Sequence, residues 1–182
     1  GMTEHLFSLV PFPTVNISEI AITGKIARQN NRLSVYFFIT GKTEEILFPK
    51  LTGHPTRKDD LWKATCFEIF LAIPHQPSYW EFNLSPSGDW NVYHMDEYRR
   101  VGFREETQIQ QLLFSVRKEP GRISVESSVD ISPIISIEHP IEVGITSVIQ
   151  SSDGRETYWA LTHPNPQPDF HLRKSFILLL AE

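Results

Sequence analysis

The stretch that decides the fold spans residues 65–85 and reads TCFEIFLAIPHQPSYWEFNLS. Its two halves carry aromatic and aliphatic side chains at every second position, and a polar turn with two prolines at residues 74–78 separates them. Side chains that are two residues apart on a strand lie on the same face of a sheet, so this pattern predicts a β-hairpin.

The predicted hairpin has one apolar face and one face that carries polar groups. The apolar face is assigned to the core and consists of Phe67, Ile69, Leu71, Trp80, Phe82 and Leu84. The opposite face carries Glu68, Glu81, Asn83 and Ser85. Antiparallel neighbours lie about 5 Å apart, so these four groups can meet one ligand. The alternative is that they form the ordinary solvated face of a half-exposed sheet.

The period of two continues along the rest of the chain. Residues 20–26 and 33–39 predict a second hairpin, and residues 112–118 and 123–131 predict a third across a Glu-Pro-Gly-Arg turn. The helical signal is thin: a helical turn is predicted near residues 107–114, and a short connector at residues 131–135. Further short strands are predicted at residues 46–48, 90–95, 142–150, 157–161 and 175–180.

These elements together predict an all-β fold. About ten short strands with turn signals at regular spacing are typical of a β-sandwich or jelly roll of two antiparallel sheets, with very little helix. The sequence contains no internal repeat and no linker, so residues 2–182 are expected to form a single domain.

The composition narrows the possible partners. The chain has 182 residues, of which 40% are hydrophobic and 21% charged, as in a globular domain. A formal net charge of −5 without clustered basic residues argues against nucleic acid as a partner. No apolar stretch reaches the length of a membrane helix, and the first residues lack a signal-peptide pattern, so we expect a cytoplasmic protein. The single cysteine, Cys66, is expected to be a buried thiol.

Two facing carboxylates suggest glycoside hydrolysis as one possible chemistry. The two carboxyl groups of a retaining glycosidase are about 5–5.5 Å apart, a spacing that Glu68 and Glu81 could adopt across a hairpin. Nothing in the sequence predicts a cleft deep enough to exclude water, and the common nucleophile and phosphate-loop motifs are missing. We therefore predict no catalytic residues.

The histidines do not show the spacing of a metal site. His94 and Met95 together would be a known pair of axial haem ligands. Adjacent residues on a strand point to opposite faces, so the two cannot bind one iron while the strand is intact. We predict no metal ligand and no cofactor, with haem as the alternative.

Four segments resemble a known group of proteins. They are residues 61–71, 79–90, 158–164 and 168–171, which read LWKATCFEIFL, YWEFNLSPSGDW, YWALTHP and PDFH. They are similar to the DOMON-like proteins of bacteria, which are related to the family 9 carbohydrate-binding modules. The resemblance implies an immunoglobulin-like or jelly-roll sandwich that binds a sugar or a haem and performs no chemistry.

The resemblance also implies which residues bind. Two aromatic residues would hold the sugar, and they fall on Trp62 and Phe170, while Glu68 would bind its hydroxyl groups. Asn83 and Ser85 occupy the strand positions of further polar ligands. Phe170 stands where the relatives have a tryptophan, and Asn83 where a relative has a longer cationic donor.

We therefore predict a non-catalytic domain that binds a carbohydrate-like small molecule. The predicted ligand-binding residues are Trp62, Glu68, Glu81, Asn83, Ser85 and Phe170. The alternatives are a haem-binding module that uses His94, Met95 and His171, a hydrolase, and a protein-interaction domain. The two aromatic residues could also be ordinary packing residues.

Overall fold

A computed structural model describes residues 1–13 and 19–181, so residues 14–18 and 182 of the predicted domain lie outside the described residues. The described part contains strands and three short 3₁₀ helices, at Thr43–Glu45, Leu61–Lys63 and Arg173–Ser175. None of its helices is long and apolar enough to cross a membrane. The strands are β1 (Met2–Pro11), β2 (Ile20–Gln29), β3 (Arg32–Gly41), β4 (Cys66–Ala72), β5 (Tyr79–Leu84), β6 (Trp90–Met95), β7 (Arg104–Glu105), β8 (Phe114–Glu119), β9 (Arg122–Asp130), β10 (Ile141–Gln150), β11 (Glu156–Ala160) and β12 (Leu178–Leu180).

The strands form one hydrogen-bonded path that curls into two layers. Its order is β7-β6-β5-β4-β10-β11-β1-β2-β3-β9-β8, and β12 pairs with β10. Strand β1 belongs to both layers, because most of it pairs with β2 while Val10 and Pro11 pair with β11. The neighbouring strands are antiparallel, and the prediction of an all-β sandwich with little helix is confirmed.

The core lies between the two layers and follows the alternation of the sequence. Strands β2 and β3 contribute Ile26 and Phe37, and the ring of Phe37 lies 5.0 Å from the ring of Phe67 on β4 in the other layer. Burial of one such side chain contributes about 1.5–3 kcal/mol. The residues of the predicted apolar face are all buried in this cluster: Phe67, Ile69, Leu71, Trp80, Phe82 and Leu84.

Several elements differ from the sequence prediction. Residues 107–113 contain no helical turn, because Ile109 and Leu112 are instead buried against the core from an irregular segment. Ile46 forms only an isolated bridge with Ser151 rather than a strand. The long strand β1 was not predicted, because Leu6 and its neighbours alternate weakly and Leu6 is 78% exposed.

Gly24 marks the closest approach of β1, β2 and β3. A Cβ atom added there would lie 2.0 Å from the carbonyl oxygen of Tyr36 and 2.3 Å from Cζ of Phe7. We expect Gly24→Ala to lower the free energy of unfolding by about 1–3 kcal/mol, because β3 or the buried Phe7 ring must move. Denaturant titration measures this. Gly53→Ala is the control, since nothing lies within 4 Å of its added Cβ, and equal stability of the two variants would contradict the prediction.

Candidate functional site

The polar groups of the hairpin lie together on the outer face of β4 and β5. The register places Glu68 opposite Asn83 on β5 and opposite Thr146 on β10. Glu81 lies opposite Phe70, two pairs further along the same two strands and therefore on the same face. The strand alternation in the sequence thus predicted correctly that Glu68, Glu81 and Asn83 share a face.

This outer face is not solvated, because the chain after β11 folds back over it. The ring of Phe176 lies 5.5 Å from that of Phe70, and a Cβ added to Gly144 on β10 would be 2.8 Å from the Phe176 ring. Under this cover, Glu68 is 2% exposed, Glu81 is 4% exposed and Asn83 is fully buried. The alternative of a solvated, half-exposed sheet is therefore wrong for these residues.

The two buried carboxyl groups form a hydrogen-bonded pair. Glu68 and Glu81 share a hydrogen bond, and the Thr146 hydroxyl donates to Oε1 of Glu68 at 2.9 Å. With its amide turned to donate, Nδ2 of Asn83 lies 3.2 Å from Oε2 of Glu68 and 2.9 Å from Oε2 of Glu81. The buried Asn83 thus holds both carboxyl groups in place by hydrogen bonds.

Burial sets the protonation of this pair. Loss of hydration raises the pKa of Glu68 well above its usual value, and the charge of Glu81 raises it further. Burial also raises the pKa of Glu81 to about 7, although the positive charge of Arg100 opposes this rise. The pair therefore keeps at least one proton at neutral pH, and this proton lies in the hydrogen bond between the two carboxyl groups.

His171 lies over the carboxyl pair as a neutral side chain. Burial and the positive charge of Arg100 lower the pKa of His171 to about 4. Its Nδ1 lies 2.8 Å from the Tyr79 hydroxyl, and its Nε2 lies 3.6 Å from Oε1 of Glu81. Because the ring is uncharged at neutral pH, this last approach is not an ion pair.

A cavity of about 450 Å³ opens above the carboxyl pair. Trp62, Tyr158 and Phe170 form its aromatic walls, and Glu68 and Glu81 lie at its polar side. Trp62 extends from the 3₁₀ helix at Leu61–Lys63 and is 43% exposed. The remaining lining residues are Arg100, Val148, Pro168, Asp169 and His171.

The structure brings together most of the residues predicted for the site. Trp62, Phe170, Glu68 and Glu81 line one cavity, and Asn83 lies directly beneath the two carboxyl groups. Ser85 lies just beyond the end of β5, where its Oγ accepts hydrogen bonds from the backbone and hydroxyl of Ser87. It holds a turn and does not line this cavity.

Sequence reasoning missed several residues of the cavity, and it also missed Thr146, which holds Glu68 without lining the cavity. Thr146 carried a signal, because it lies on the outer face of β10 by the same alternation as Glu68 on β4. Arg100, Pro168 and Asp169 lie in irregular segments, where no period indicates the direction of a side chain. Tyr158 was within a predicted strand, but its role depends on the packing of Phe170, whose ring lies 6.2 Å away.

The haem-type residues do not converge. His94 stacks on Trp80 at 4.2 Å, while Met95 is buried on the opposite face with Phe70 and Tyr79. His171 is engaged by Tyr79 and lies at the cavity. Within residues 1–13 and 19–181, no group of three His, Cys, Asp or Glu side chains could hold a metal ion.

Comparison with known proteins gives structural neighbours. No protein-family model matches the sequence, and no curated protein matches it either. A proposed carbohydrate-binding protein from Bacteroides uniformis superposes with a TM-score of 0.58 at 11% identity, over 96% of this chain and 84% of that one. A family 9 carbohydrate-binding module from Caldicellulosiruptor kristjanssonii in complex with cellotriose superposes with a TM-score of 0.55 at 13% identity, over 89% and 74%. The chain shares the fold of these proteins.

The buried pair makes stability depend on pH. A carboxyl group with a raised pKa in the folded state favours folding below its unfolded pKa, and this contribution is lost as the pH rises through the folded pKa. We expect the free energy of unfolding of the wild type, relative to Glu81→Gln, to fall by on the order of 1–3 kcal/mol between about pH 4.5 and pH 8. The His171 titration is common to both proteins and cancels in the difference.

Denaturant titrations at a series of pH values measure this difference. Glu126→Gln is the matched control, because Glu126 is exposed on β9 in the other layer. Its pH profile should follow that of the wild type. A pH profile of Glu81→Gln that runs parallel to the wild type would contradict the buried, protonated pair.

Proposed function

We propose that this chain is a non-catalytic ligand-binding protein whose cavity takes a carbohydrate. The observation that carries the proposal is the combination of aromatic walls with a fixed polar side in one cavity. Trp62 and Phe170 provide apolar surfaces next to the Glu68–Glu81 pair. A volume of about 450 Å³ is within the ordinary range for small-molecule sites.

The chemistry of a sugar suits both parts of this cavity. One face of a pyranose ring carries C–H groups that pack on an aromatic ring, and its edge carries hydroxyl groups that both donate and accept hydrogen bonds. The carboxyl pair offers acceptor oxygens at fixed positions to such hydroxyl groups, because Asn83 and Thr146 hold it from the protein side. Ligand hydroxyl groups can therefore bind without a rearrangement of the carboxyl pair.

The structural neighbours support the same ligand class. The Caldicellulosiruptor module that shares the fold was solved with cellotriose. The resemblance of the hairpin and of the segments around Tyr158 and Phe170 to the DOMON-like group and the family 9 modules points in the same direction. The resemblance to the family 9 modules implies that Trp62, Glu68 and Phe170 contact the sugar.

The geometry of the carboxyl pair favours binding over hydrolysis. A retaining glycosidase separates its carboxyl groups by about 5–5.5 Å, and the scissile bond lies between them. Glu68 and Glu81 instead hydrogen-bond to each other, and Asn83 bridges them. The Asn83 bridge holds the two groups together from the protein side, whereas a glycosidase places its two carboxyl groups on either side of the scissile bond.

The first test of this proposal is removal of the exposed aromatic wall. We expect the wild type to bind at least one neutral mono- or disaccharide of a panel, and Trp62→Ala to bind it about tenfold or more weakly, because the apolar sugar face loses its partner. Calorimetry measures the affinity. Trp62→Phe keeps an aromatic face and should retain much of the binding.

The matched control is Tyr36→Ala. Tyr36 is an aromatic residue on the outer face of β3 in the other layer, stacked on Phe38. Its loss should leave the sugar affinity unchanged. If no neutral or acidic sugar binds to the wild type, or if Trp62→Ala and Tyr36→Ala bind sugar equally well, the proposed site is wrong.

A second test concerns catalysis. We expect the wild type to release no aryl alcohol from nitrophenyl glycosides above the rate of uncatalysed hydrolysis, between about pH 5 and pH 8. Turnover that is abolished in both Glu68→Gln and Glu81→Gln would instead identify the pair as catalytic. Turnover that persists in both variants would indicate a contaminating enzyme.

A further inference from the structure

A second cavity adjoins the first beside the segment that carries His171. Its volume is about 480 Å³, and it shares Arg100, Pro168, Asp169 and His171 with the first cavity. Arg99 and the amide groups of Asn165 and Gln167 line its other sides. A ligand whose ring occupies the first cavity can therefore extend a substituent past Arg100 into a polar space.

Among the described residues, Asp169 is the one carboxylate that lines this second cavity, and it already has hydrogen-bond partners. Asp169 accepts from the Tyr98 hydroxyl, from Nδ2 of Asn165 at 3.2 Å and from the backbone N–H of His171 at 3.0 Å. These donors belong to the protein and hold the carboxylate in place. Asp169 thus organises the cavity and is not an ion-pair partner of the arginines.

Neither of the two arginines forms an ion pair with another described residue. In the described part of the chain, no carboxylate oxygen lies within 4.0 Å of a guanidinium nitrogen of Arg99 or Arg100. Arg100 stacks over the Phe103 ring at 4.1 Å, and Arg99 lies over the Tyr98 ring at 5.6 Å. The aromatic rings orient the two planar groups, and a hydrogen bond to Tyr98 also holds the Arg99 side chain.

The backbone at these arginines is held in an uncommon conformation. Arg99 has φ = 66° and Arg100 has φ = 62°, so two consecutive residues with long side chains lie in the left-handed region. That region is sparsely populated for residues other than glycine, and such strain is concentrated at ligand sites. Here it turns the side chain of Arg100 toward both cavities.

We propose that the ligand is an anionic saccharide, with its sugar ring in the first cavity and a phosphate or carboxylate group in the second, held by Arg99 and Arg100. The proposal rests on the proposed function, because it assigns the sugar ring to the cavity of Trp62 and Glu68. Planar guanidinium groups bind phosphate and carboxylate oxygens with paired hydrogen bonds. The negative charges nearest to the site are Glu81, which shares the proton of its pair, and Asp169, which the three donors hold.

The test compares neutral sugars with their acidic derivatives on the intact protein. Glucose, glucose 1-phosphate, glucose 6-phosphate and glucuronate form one set, and galactose with the corresponding derivatives forms another. We expect at least one acidic derivative to bind about tenfold or more tightly than its neutral parent in calorimetry. We also expect this advantage to shrink when the salt concentration is raised. The phosphate and carboxylate members of each set show which anion the arginines prefer.

Charge-removing variants locate the anion. Arg99→Gln and Arg100→Gln should each reduce the advantage of the acidic sugar several-fold. Arg99→Gln should also leave the affinity for the neutral parent within about twofold, because Arg99 lines the second cavity and not the first. Arg117→Gln is the matched control, because Arg117 is exposed on β8 and paired with Glu119. It should bind like the wild type. If the Arg100→Gln variant is unstable, Arg100→Lys, which keeps the charge, is measured in its place.

The outcomes separate the two proposals. If neutral and acidic sugars bind the wild type equally, and both lose affinity in Trp62→Ala, the anion site is wrong and the sugar site stands. The anion site is also wrong if the acidic advantage survives in both glutamine variants. A preference for acidic sugars that is lost in Arg100→Gln and kept in Arg117→Gln supports both.

Discussion

The site depends on one constraint, which is that the chain after β11 buries a polar face of the sheet. Phe176 packs on Phe70 and on the bare backbone at Gly144, and His171 lies over Glu81. An unpaired charge in such a place costs several kcal/mol. The protein avoids most of this cost by a shared proton, so the cover determines both the protonation of the pair and the hydrogen bonds that it offers.

The other features of the cavity follow from this cover. The segment from Pro168 to His171 forms one wall of the first cavity and also separates it from the second. Asp169 anchors that segment through Tyr98 and Asn165. A cavity with walls fixed in this way needs little reorganisation to receive a ligand, and lower ordering costs mean tighter binding.

The sequence alone could predict what depends on strand alternation, and little beyond it. The period of two placed Glu68, Glu81 and Asn83 on one face, because neighbouring strands of a hairpin keep a fixed register. It also placed Ser85 there, but β5 ends at Leu84 and the next residues form a hydrogen-bonded turn. Trp62 and Phe170 came from resemblance, since neither lies on a strand. Burial of the carboxyl groups could not be predicted, because the cover comes from residues about a hundred positions further along the chain.

The hydrogen bonds of the Glu68–Glu81 pair determine which ligand groups can bind next to it. Glu68 and Glu81 share a proton in the hydrogen bond between them, and the Thr146 hydroxyl donates a hydrogen bond to Glu68. Nδ2 of Asn83 donates to both carboxyl groups. The capacity left over consists mainly of acceptor lone pairs on the carboxylate oxygens. A ligand that places a hydroxyl donor there completes the network, whereas one that places an apolar group leaves a buried acceptor unpaired at a cost of about 1–3 kcal/mol. If the cavity holds the proposed anionic saccharide, the carboxyl pair discriminates by the positions of hydroxyl groups and the aromatic walls pack on an apolar ring face. The two arginines then act on a third property, the charge of the substituent.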